Sequence, residues 1–286
     1  MEEKRVFPGF IDLLKESWKV YAQNFKLFFK LILLSIAFLL VFVLAGAVTL
    51  AVLSQTGFSL ILIVVGLVSL LAIIATQLWI QVAMMLAIKT LLDGKTVSSI
   101  RSLLNLSKPL ILPYVGLSLV SMFLVVGGYM LFLIPGLILS IWFGFGMFVL
   151  IDENKRGISA LLTSRDYIKG FIVKVFVRWF GFGILSAIVS SLPSLLLKNT
   201  NYEGLSSIYS TFISFIITPL SLIYGFLLYK SVKAQKPDLK PDLSKNRKLK
   251  YVGVAAFGYL LIISLIIYLI INFPVNVNPL NDGIRS

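Results

Sequence analysis

Apolar residues occur in seven long blocks along the chain, with short polar segments between them. A helix that crosses a membrane needs about 20 consecutive apolar residues, and the blocks reach or approach that length. The pattern therefore predicts seven membrane-spanning helices. We place these spans at residues 28–53, 58–88, 110–133, 137–151, 171–197, 208–229 and 251–273.

Three short amphipathic segments precede pairs of these spans. Apolar side chains in each recur every three or four residues, which is the spacing of one helical face. In the first segment these residues are Phe10, Leu14, Trp18, Tyr21 and Phe25. The second places Ile100, Leu103 and Leu104 opposite Arg101, Asn105 and Lys108. The third places Ile158, Leu161 and Leu162 opposite Arg165, Asp166 and Lys169. Each segment is predicted to form a helix at the membrane interface.

The order of these elements predicts an all-α, polytopic integral membrane protein. It contains three units, each an interfacial helix followed by two spans, and a last single span. We divide the chain into an N-terminal segment with an interfacial helix (1–27), a six-helix membrane core (28–230), a basic linker (231–250), a seventh transmembrane helix (251–273) and a short tail (274–286). Only Ile134, Pro135 and Gly136 separate the third and fourth spans, which predicts a tight antiparallel hairpin or a re-entrant pair. We favour the hairpin.

Composition supports a membrane location, because 58% of the residues are hydrophobic and only 13% are charged, which excludes a soluble globular protein. Basic residues are retained on the cytoplasmic side of a membrane. Of the 26 Lys and Arg residues, all except Lys198 and Arg285 lie on one side when the seven spans alternate in direction. This distribution predicts a cytoplasmic N-terminus and an external C-terminus.

The residue inventory limits the possible chemistry. The chain has no Cys and no His, so thiolate metal sites, cysteine nucleophiles and the commonest general base are excluded. All carboxylates fall outside the predicted spans, whereas ion-coupled carriers commonly place one at mid-membrane depth. The remaining candidates for enzyme, metal or phosphate chemistry are Asp152, Glu153, Arg156, Arg165 and Asp166. We interpret them as an ordinary loop of mixed charge, and predict no enzymatic activity, no metal and no cofactor.

Two kinds of residue are candidates for contact with a solute or a lipid. Gln77 and Gln81 lie four residues apart, and therefore on one helical face. They are predicted to form an interhelical hydrogen-bonding pair, with a substrate contact as the alternative. Lys30, Lys174 and Arg178 lie at the predicted cytoplasmic ends of spans, where long basic side chains reach lipid phosphates. The linker 231–250 is predicted to be extended, solvated and bound to anionic headgroups.

Small residues recur at every fourth position on two spans. The first stripe is Gly136, Ser140 and Gly144, and the second is Gly183, Ala187 and Ser191. Such spacing allows helix backbones to approach closely. Both stripes are therefore predicted to pack helices, either within the chain or between copies of it.

The segment 134–170 contains a loose motif of Pro135, Gly136, Glu153, Ser164 and Gly170, and the chain opens with IDLLKESWKVYAQNFKLF from Ile11. With these features the sequence resembles a broad group of bacterial and archaeal membrane proteins. The group comprises the membrane domain of glycerophosphoryl diester phosphodiesterases and related uncharacterised families, including the DUF975 and YciC-like ones. The resemblance implies a six-helix core with amphipathic elbows in a prokaryotic plasma membrane. It carries no activity, because hydrolysis in those phosphodiesterases belongs to a separate catalytic domain that uses histidines.

The leading hypothesis is a non-catalytic membrane protein that acts through lipid and protein contacts. It would serve as an accessory or scaffold protein in membrane, lipid or envelope homeostasis. Its expected partners are membrane lipids, anionic at the cytoplasmic face, and a membrane protein or a second copy of the chain. Nucleic acid is not expected, since no base-reading module is present. The alternative is a permease or flippase for an uncharged or amphipathic solute, which requires a polar cavity lined by groups such as Gln77, Gln81 and Tyr129.

Overall fold

A computed structural model describes residues 7–54, 59–196 and 203–272. Within these ranges the chain forms helices and no strands. The helices are α1 (Phe10–Gln23), α2 (Phe25–Ser54), α3 (Ser59–Leu92), α4 (Ile100–Leu131), α5 (Leu133–Phe143), α6 (Gly146–Glu153), α7 (Ile158–Ile168), α8 (Ile172–Leu196), α9 (Glu203–Ala234) and α10 (Lys245–Asn272). The predicted tail 274–286 lies outside the described residues.

The all-α, polytopic architecture is confirmed. Seven helical segments are long and apolar enough to cross a membrane, so the chain is a multi-pass membrane protein. Six of them are α2, α3, α4, α8, α9 and α10, and the remaining crossing is shared by α5 and α6 as the segment Leu133–Glu153. We call the end of the bundle that holds α1, α7 and the loops after α3 and α9 the basic end.

The first amphipathic segment forms α1, but its apolar side chains point in two directions. Leu13, Ser17 and Tyr21 are buried, and α1 packs mainly against α9. Trp18, which was predicted to share the face of Tyr21, is 55% exposed. The two residues are three positions apart, or about 60° around a helix, so the edge of the apolar face remains uncovered.

The second amphipathic segment differs from the prediction of a separate interfacial helix, and the third forms a separate helix that is more buried than predicted. The second is the beginning of α4, whose N-cap Ser99 Oγ accepts a hydrogen bond of 3.1 Å from the Ser102 amide. The third, α7, is buried along most of its length, including the predicted polar residue Asp166. It can be buried because its polar side chains have partners inside the protein, as described below.

The hairpin between α4 and α5 turns at a single extended residue, Phe132. The turn comes earlier than predicted, so that Pro135 lies in the first turn of α5, where its missing N–H has no intrahelical partner to lose. Gly136 faces Tyr129 so closely that a Cβ atom would lie 2.8 Å from the Tyr129 Cα. The absence of a side chain therefore allows α5 to pack against α4.

A kink at Gly144 and Phe145 separates α5 from α6. The Ser164 hydroxyl from α7 satisfies the backbone there, donating to the Trp142 carbonyl at 2.6 Å and accepting from the Phe145 amide at 3.1 Å. A Cβ atom at Gly144 would lie about 2 Å from the Trp179 ring. The break thus depends on one glycine and one buried hydroxyl.

The last helix, α10, lies against α4 through small residues. A Cβ atom on Gly127 would lie 2.8 Å from the Cα and the carbonyl oxygen of Ala255, and Gly258 also contacts the Gly127 backbone. Such close approach gives van der Waals contact between backbones, which drives helix association in membranes. The seventh helix is therefore packed on the six-helix core.

This contact can be tested with a pair of glycine substitutions. In Gly127→Ala the new methyl group meets the α10 backbone, so we expect destabilisation of about 1–3 kcal/mol, as for overpacked cores. Gly46→Ala on α2 is the matched control, because no atom of the described residues lies within 4 Å of its added Cβ and Ala is favoured over Gly in a helix by roughly 0.5–1 kcal/mol. Thermal unfolding in detergent measures both variants. Equal stability of the two would contradict the described packing of α10.

Candidate functional site

Two carboxylates end α6 at the basic end of the bundle, and both are held by α9. The Tyr229 hydroxyl lies 2.9 Å from Asp152 Oδ2 and 2.9 Å from Glu153 Oε1. Lys233 Nζ, one turn further along α9, lies 2.5 Å from Asp152 Oδ2 and 3.0 Å from Glu153 Oε1. The Lys233 ammonium therefore lies within ion-pair distance of both acids, and the Tyr229 hydroxyl, with its single proton, can donate to one of them at a time.

Other helices complete the environment of α6. The Tyr167 hydroxyl of α7 donates to Glu153 Oε1 at 2.8 Å, and Lys155 Nζ lies 2.7 Å from Glu153 Oε2. Burial, reinforced by Glu153, raises the pKa of Tyr167, so this phenol stays protonated and remains a donor at neutral pH. Lys89 of α3 donates to the carbonyl oxygens of Ile151 and Asp152, both at 3.0 Å. A cation at this position stabilises the C-terminal end of a helix.

A second ionic cluster is centred on Asp166 of α7. Arg247, at the start of α10, forms a bidentate pair with this carboxylate, in which NH1 lies 2.8 Å from Oδ2. Arg165 lies beside it and stacks on the Trp142 ring, with its guanidinium carbon 4.8 Å from the ring centroid. Lys236 Nζ donates to the Asp166 carbonyl oxygen at 2.6 Å. The predicted solvated linker is therefore partly built into the protein.

The acidic residues considered above for enzyme, metal or phosphate chemistry all belong to these two clusters. Asp152, Glu153 and Asp166 each contact at least one cationic side chain, and none of them lines the two cavities described below. Among the described residues there is no group of three metal-ligand side chains. The arrangement joins helices α3, α6, α7, α9 and α10 to one another.

Each of the five residues in the motif that carries the family resemblance has a structural role. Pro135 and Gly136 form the start of α5, Ser164 bridges the kink, and Glu153 joins α6 to α7 and α9. Gly170 follows α7 with φ +88°, a conformation that favours glycine. The five residues occur at turns and junctions between helices and do not form one pocket.

The basic residues predicted to contact lipid have different surroundings. Arg178 donates from Nε and NH2 to the Pro8 carbonyl oxygen, at 2.9 and 2.8 Å, and stacks on Phe7 at 4.4 Å. Lys174 lies 5.7 Å above the Phe171 ring. Lys30 is exposed on α2 and forms no ion pair with any described residue. Arg178 thus holds the N-terminal segment, whereas Lys30 is available to a ligand.

The two predicted packing stripes also differ. Gly136, Ser140 and Gly144 are used inside the chain, since Gly136 and Gly144 touch aromatic rings and Ser140 lies 3.2 Å from the Tyr129 hydroxyl. On α8, Gly183 and Ala187 are exposed and Ser191 is half-buried. Nothing lies within 4 Å of a Cβ atom placed on Gly183, so that position brings no other described helix close to α8.

An apolar groove of about 600 Å³ runs between α2 and α9. Residues of α2 and α9 form its walls, and Tyr21 of α1 also lines it. We call it the α2–α9 groove. Its lining residues are Tyr21, Phe25, Phe29, Ile32, Leu33, Ile36, Thr211, Phe212, Phe215 and Ile216. The α2 positions recur every three or four residues, so one face of the helix forms one wall.

A smaller cavity of about 250 Å³ adjoins the groove and contains both predicted glutamines. Ile32 and Phe215 line both spaces, so the two lie side by side and share part of one wall. The Ser35 hydroxyl donates to Gln77 Oε1 at 2.6 Å. Gln81 forms no hydrogen bond with a described residue, and Thr218 Oγ1 donates to the Ser214 carbonyl at 2.7 Å. We call this space, with Ser35, Gln77, Gln81 and Thr218 on its wall, the amide notch.

The amide notch combines the two expectations for the glutamines, because Gln77 pairs with another helix and Gln81 faces a cavity. The sequence did not identify Ser35 and Thr218 as members of this cavity, because isolated Ser and Thr residues within apolar spans form no distinctive pattern. It also missed Tyr229, Lys233 and Arg247 as partners of the carboxylates. The sequence around these three residues does not indicate which carboxylate each of them contacts in the folded protein.

Comparison with known proteins gives no relative for this chain. No family model matches the sequence, and no curated protein and no solved structure matches it. The family resemblance inferred from the sequence stays a prediction.

The ion pair between Asp166 of α7 and Arg247 of α10 can be tested by replacing Arg247. In Arg247→Gln the largely buried Asp166 carboxylate loses its bidentate partner, and breaking such a pair costs roughly 3 kcal/mol. Lys245→Gln is the matched control, because Lys245 is exposed nearby on α10 and forms no ion pair with a described residue. Thermal unfolding in detergent compares them. If both variants unfold at the wild-type temperature, Arg247 does not secure the helix.

Proposed function

We propose that this protein is a non-catalytic integral membrane protein that acts through lipid and protein contacts, as an accessory or scaffold protein in membrane, lipid or envelope homeostasis. The α2–α9 groove and the amide notch are its lipid-binding site. The single observation that carries this proposal is that a large apolar space and a small polar one lie side by side and share Ile32 and Phe215. An amphiphile needs both.

The dimensions and the chemistry of the two spaces support a lipid. Ligand sites typically occupy roughly 300–1,000 Å³ and are mostly apolar, with a few placed polar groups. The groove accommodates an acyl chain among aromatic and aliphatic side chains. The notch offers two amide groups and no charge, so it suits the ester carbonyl or hydroxyl oxygens of a lipid backbone.

The basic end is proposed to face the cytoplasm, in a prokaryotic plasma membrane. The number of basic residues on either side of the spans supports this orientation, because cytoplasmic segments retain Lys and Arg. In that orientation the N-terminus is cytoplasmic, and the C-terminus is external after seven crossings.

Filling the groove tests the proposal. In Ile36→Trp the indole occupies space that an acyl chain would use, and overpacking of 1–3 kcal/mol corresponds to about a tenfold loss of binding. Native mass spectrometry of the full chain, transferred from its host membrane into lipid nanodiscs, measures the retained lipid. We expect the wild type to retain a lipid that this variant loses.

Leu40→Trp provides the control for this experiment. Leu40 is 54% exposed on the same helix and lines neither cavity, so the variant adds the same side chain outside the groove. We expect it to retain the lipid as the wild type does. Equal retention by wild type and Ile36→Trp would refute the site.

A second candidate function is a carrier, a permease or flippase for an uncharged or amphipathic solute. The observation that favours it is the position of the amide notch between three helices, α2, α3 and α9. A polar surface between spans lowers the cost of moving a polar group through hydrocarbon. A carrier and a static lipid-binding protein differ in turnover and not in occupancy.

Transbilayer movement of a fluorescent lipid in reconstituted vesicles distinguishes the two functions. If the protein is a carrier, Gln77→Leu combined with Gln81→Leu should slow movement about tenfold, since each lost hydrogen bond is worth roughly 0.5–1.5 kcal/mol. Gln23→Leu, at an exposed position on α1, should leave it unchanged. Movement no faster than in protein-free vesicles would reject the carrier.

A further inference from the structure

The basic side chains of the described residues fall into two groups, those with a protein partner and those without one. Four basic residues of α9, the segment after it and α10 have partners within the protein. Lys230 contacts Asp93, and Lys233 contacts Asp152 and Glu153. Lys236 contacts the Asp166 carbonyl oxygen, and Arg247 contacts the Asp166 carboxylate. Their charge is used inside the protein. A site for an external anion must therefore be sought among the other cations.

Lys26 and Lys30 belong to the second group and lie beside the α2–α9 groove. Both are exposed, and neither forms an ion pair or a ring contact with a described residue. Phe29 and Leu33, which line the groove, are each three residues beyond one of these lysines. Side chains three apart on a helix are neighbours, so the two ammonium groups border the α2 wall of the groove.

The position along the helix suits a headgroup. The groove extends along α2 from Phe25 to Ile36, or about 16 Å at 1.5 Å per residue. Lys26 and Lys30 flank the half that is nearer the basic end.

Neighbouring elements do not compensate the two lysines. The described acidic side chains of α1 are Asp12 and Glu16, and Asp12 accepts a hydrogen bond from the Gly9 amide at 3.1 Å. Neither of them pairs with Lys26 or Lys30 within the described residues. The groove side of α9 contributes only uncharged residues, Thr211, Phe212, Phe215 and Ile216. Lys19 of α1 adds a further positive charge nearby in sequence.

We propose that the lipid in the α2–α9 groove is an anionic phospholipid, whose phosphate lies between Lys26 and Lys30. This inference rests on the proposed function, because it identifies the headgroup of the same ligand. The acyl chain lies along Phe29, Leu33 and Ile36. Lysine binds a phosphate through a point charge and up to three donors, and each basic residue near an anionic membrane surface adds about a fewfold in affinity.

The experiment measures headgroup preference in the full chain. The protein is placed in nanodiscs containing equal amounts of phosphatidylglycerol and phosphatidylcholine, which share acyl chains and differ in headgroup charge. Native mass spectrometry then gives the ratio of the two lipids retained after the bulk lipid is stripped. We expect the wild type to retain phosphatidylglycerol in roughly tenfold excess, and Lys26→Gln combined with Lys30→Gln to bring the ratio close to one.

Two further variants separate the local effect from general charge. Lys245→Gln combined with Lys248→Gln removes the same charge from the start of α10, away from the groove, and should keep the preference. Lys26→Arg combined with Lys30→Arg retains the charge and should keep it as well. The proposal is overturned if the Lys26 and Lys30 glutamine variant keeps the wild-type ratio, or if both glutamine pairs lower it equally.

The failure of this inference is distinguishable from failure of the proposed function. If Ile36→Trp loses the retained lipid while the Lys26 and Lys30 glutamine variant keeps its headgroup preference, the groove binds lipid and only the headgroup assignment is wrong. If Ile36→Trp retains the wild-type lipid, both proposals fail. Thermal unfolding of every variant shows that each loss reflects binding and not misfolding.

Discussion

Asp152, Glu153 and Asp166 place negative charge within the packed end of a largely apolar bundle, where an unpaired carboxylate would cost several kcal/mol. Each acid meets a cation from a helix distant in sequence, Lys233 for the first two and Arg247 for the third. The pairing requires the end of α9 to lie beside the end of α6, and the start of α10 to lie beside α7. Much of the arrangement at the basic end follows from that requirement.

The density of packing between helices decreases along the bundle, away from the basic end. Near the basic end the core is dense, with Phe145, Phe148, Phe226 and Tyr229 forming a continuous set of ring contacts. Toward the other end, α2, α8 and α10 bury few residues against the protein. Hydrocarbon solvates apolar side chains as well as another helix does, so these segments need no protein partner.

The sequence predicted the seven crossings because each is a long apolar block, and block length is a local property. It predicted α1 from another local property, the recurrence of apolar residues every three or four positions. It predicted α7 as a helix but not the burial of Asp166, since a polar face that points to water and one that meets buried partners have the same periodicity. The two glutamines were identifiable as rare polar groups inside a span. Ser35 was not, because a hydroxyl that bonds to another helix is indistinguishable in sequence from one that bonds to its own.

The contact between Arg178 and the Pro8 carbonyl joins residues that lie 170 positions apart. Chain synthesis proceeds at about 5–20 residues per second, so Pro8 precedes its partner out of the ribosome by roughly 10–30 s. During that interval α1 exists without α9, the helix against which it mainly packs, although Leu13, Ser17 and Tyr21 of α1 are buried in the folded protein. An amphipathic helix with an uncovered apolar face binds to a membrane surface. We therefore expect α1 to bind the membrane surface during synthesis, before α9 is available to cover its buried side.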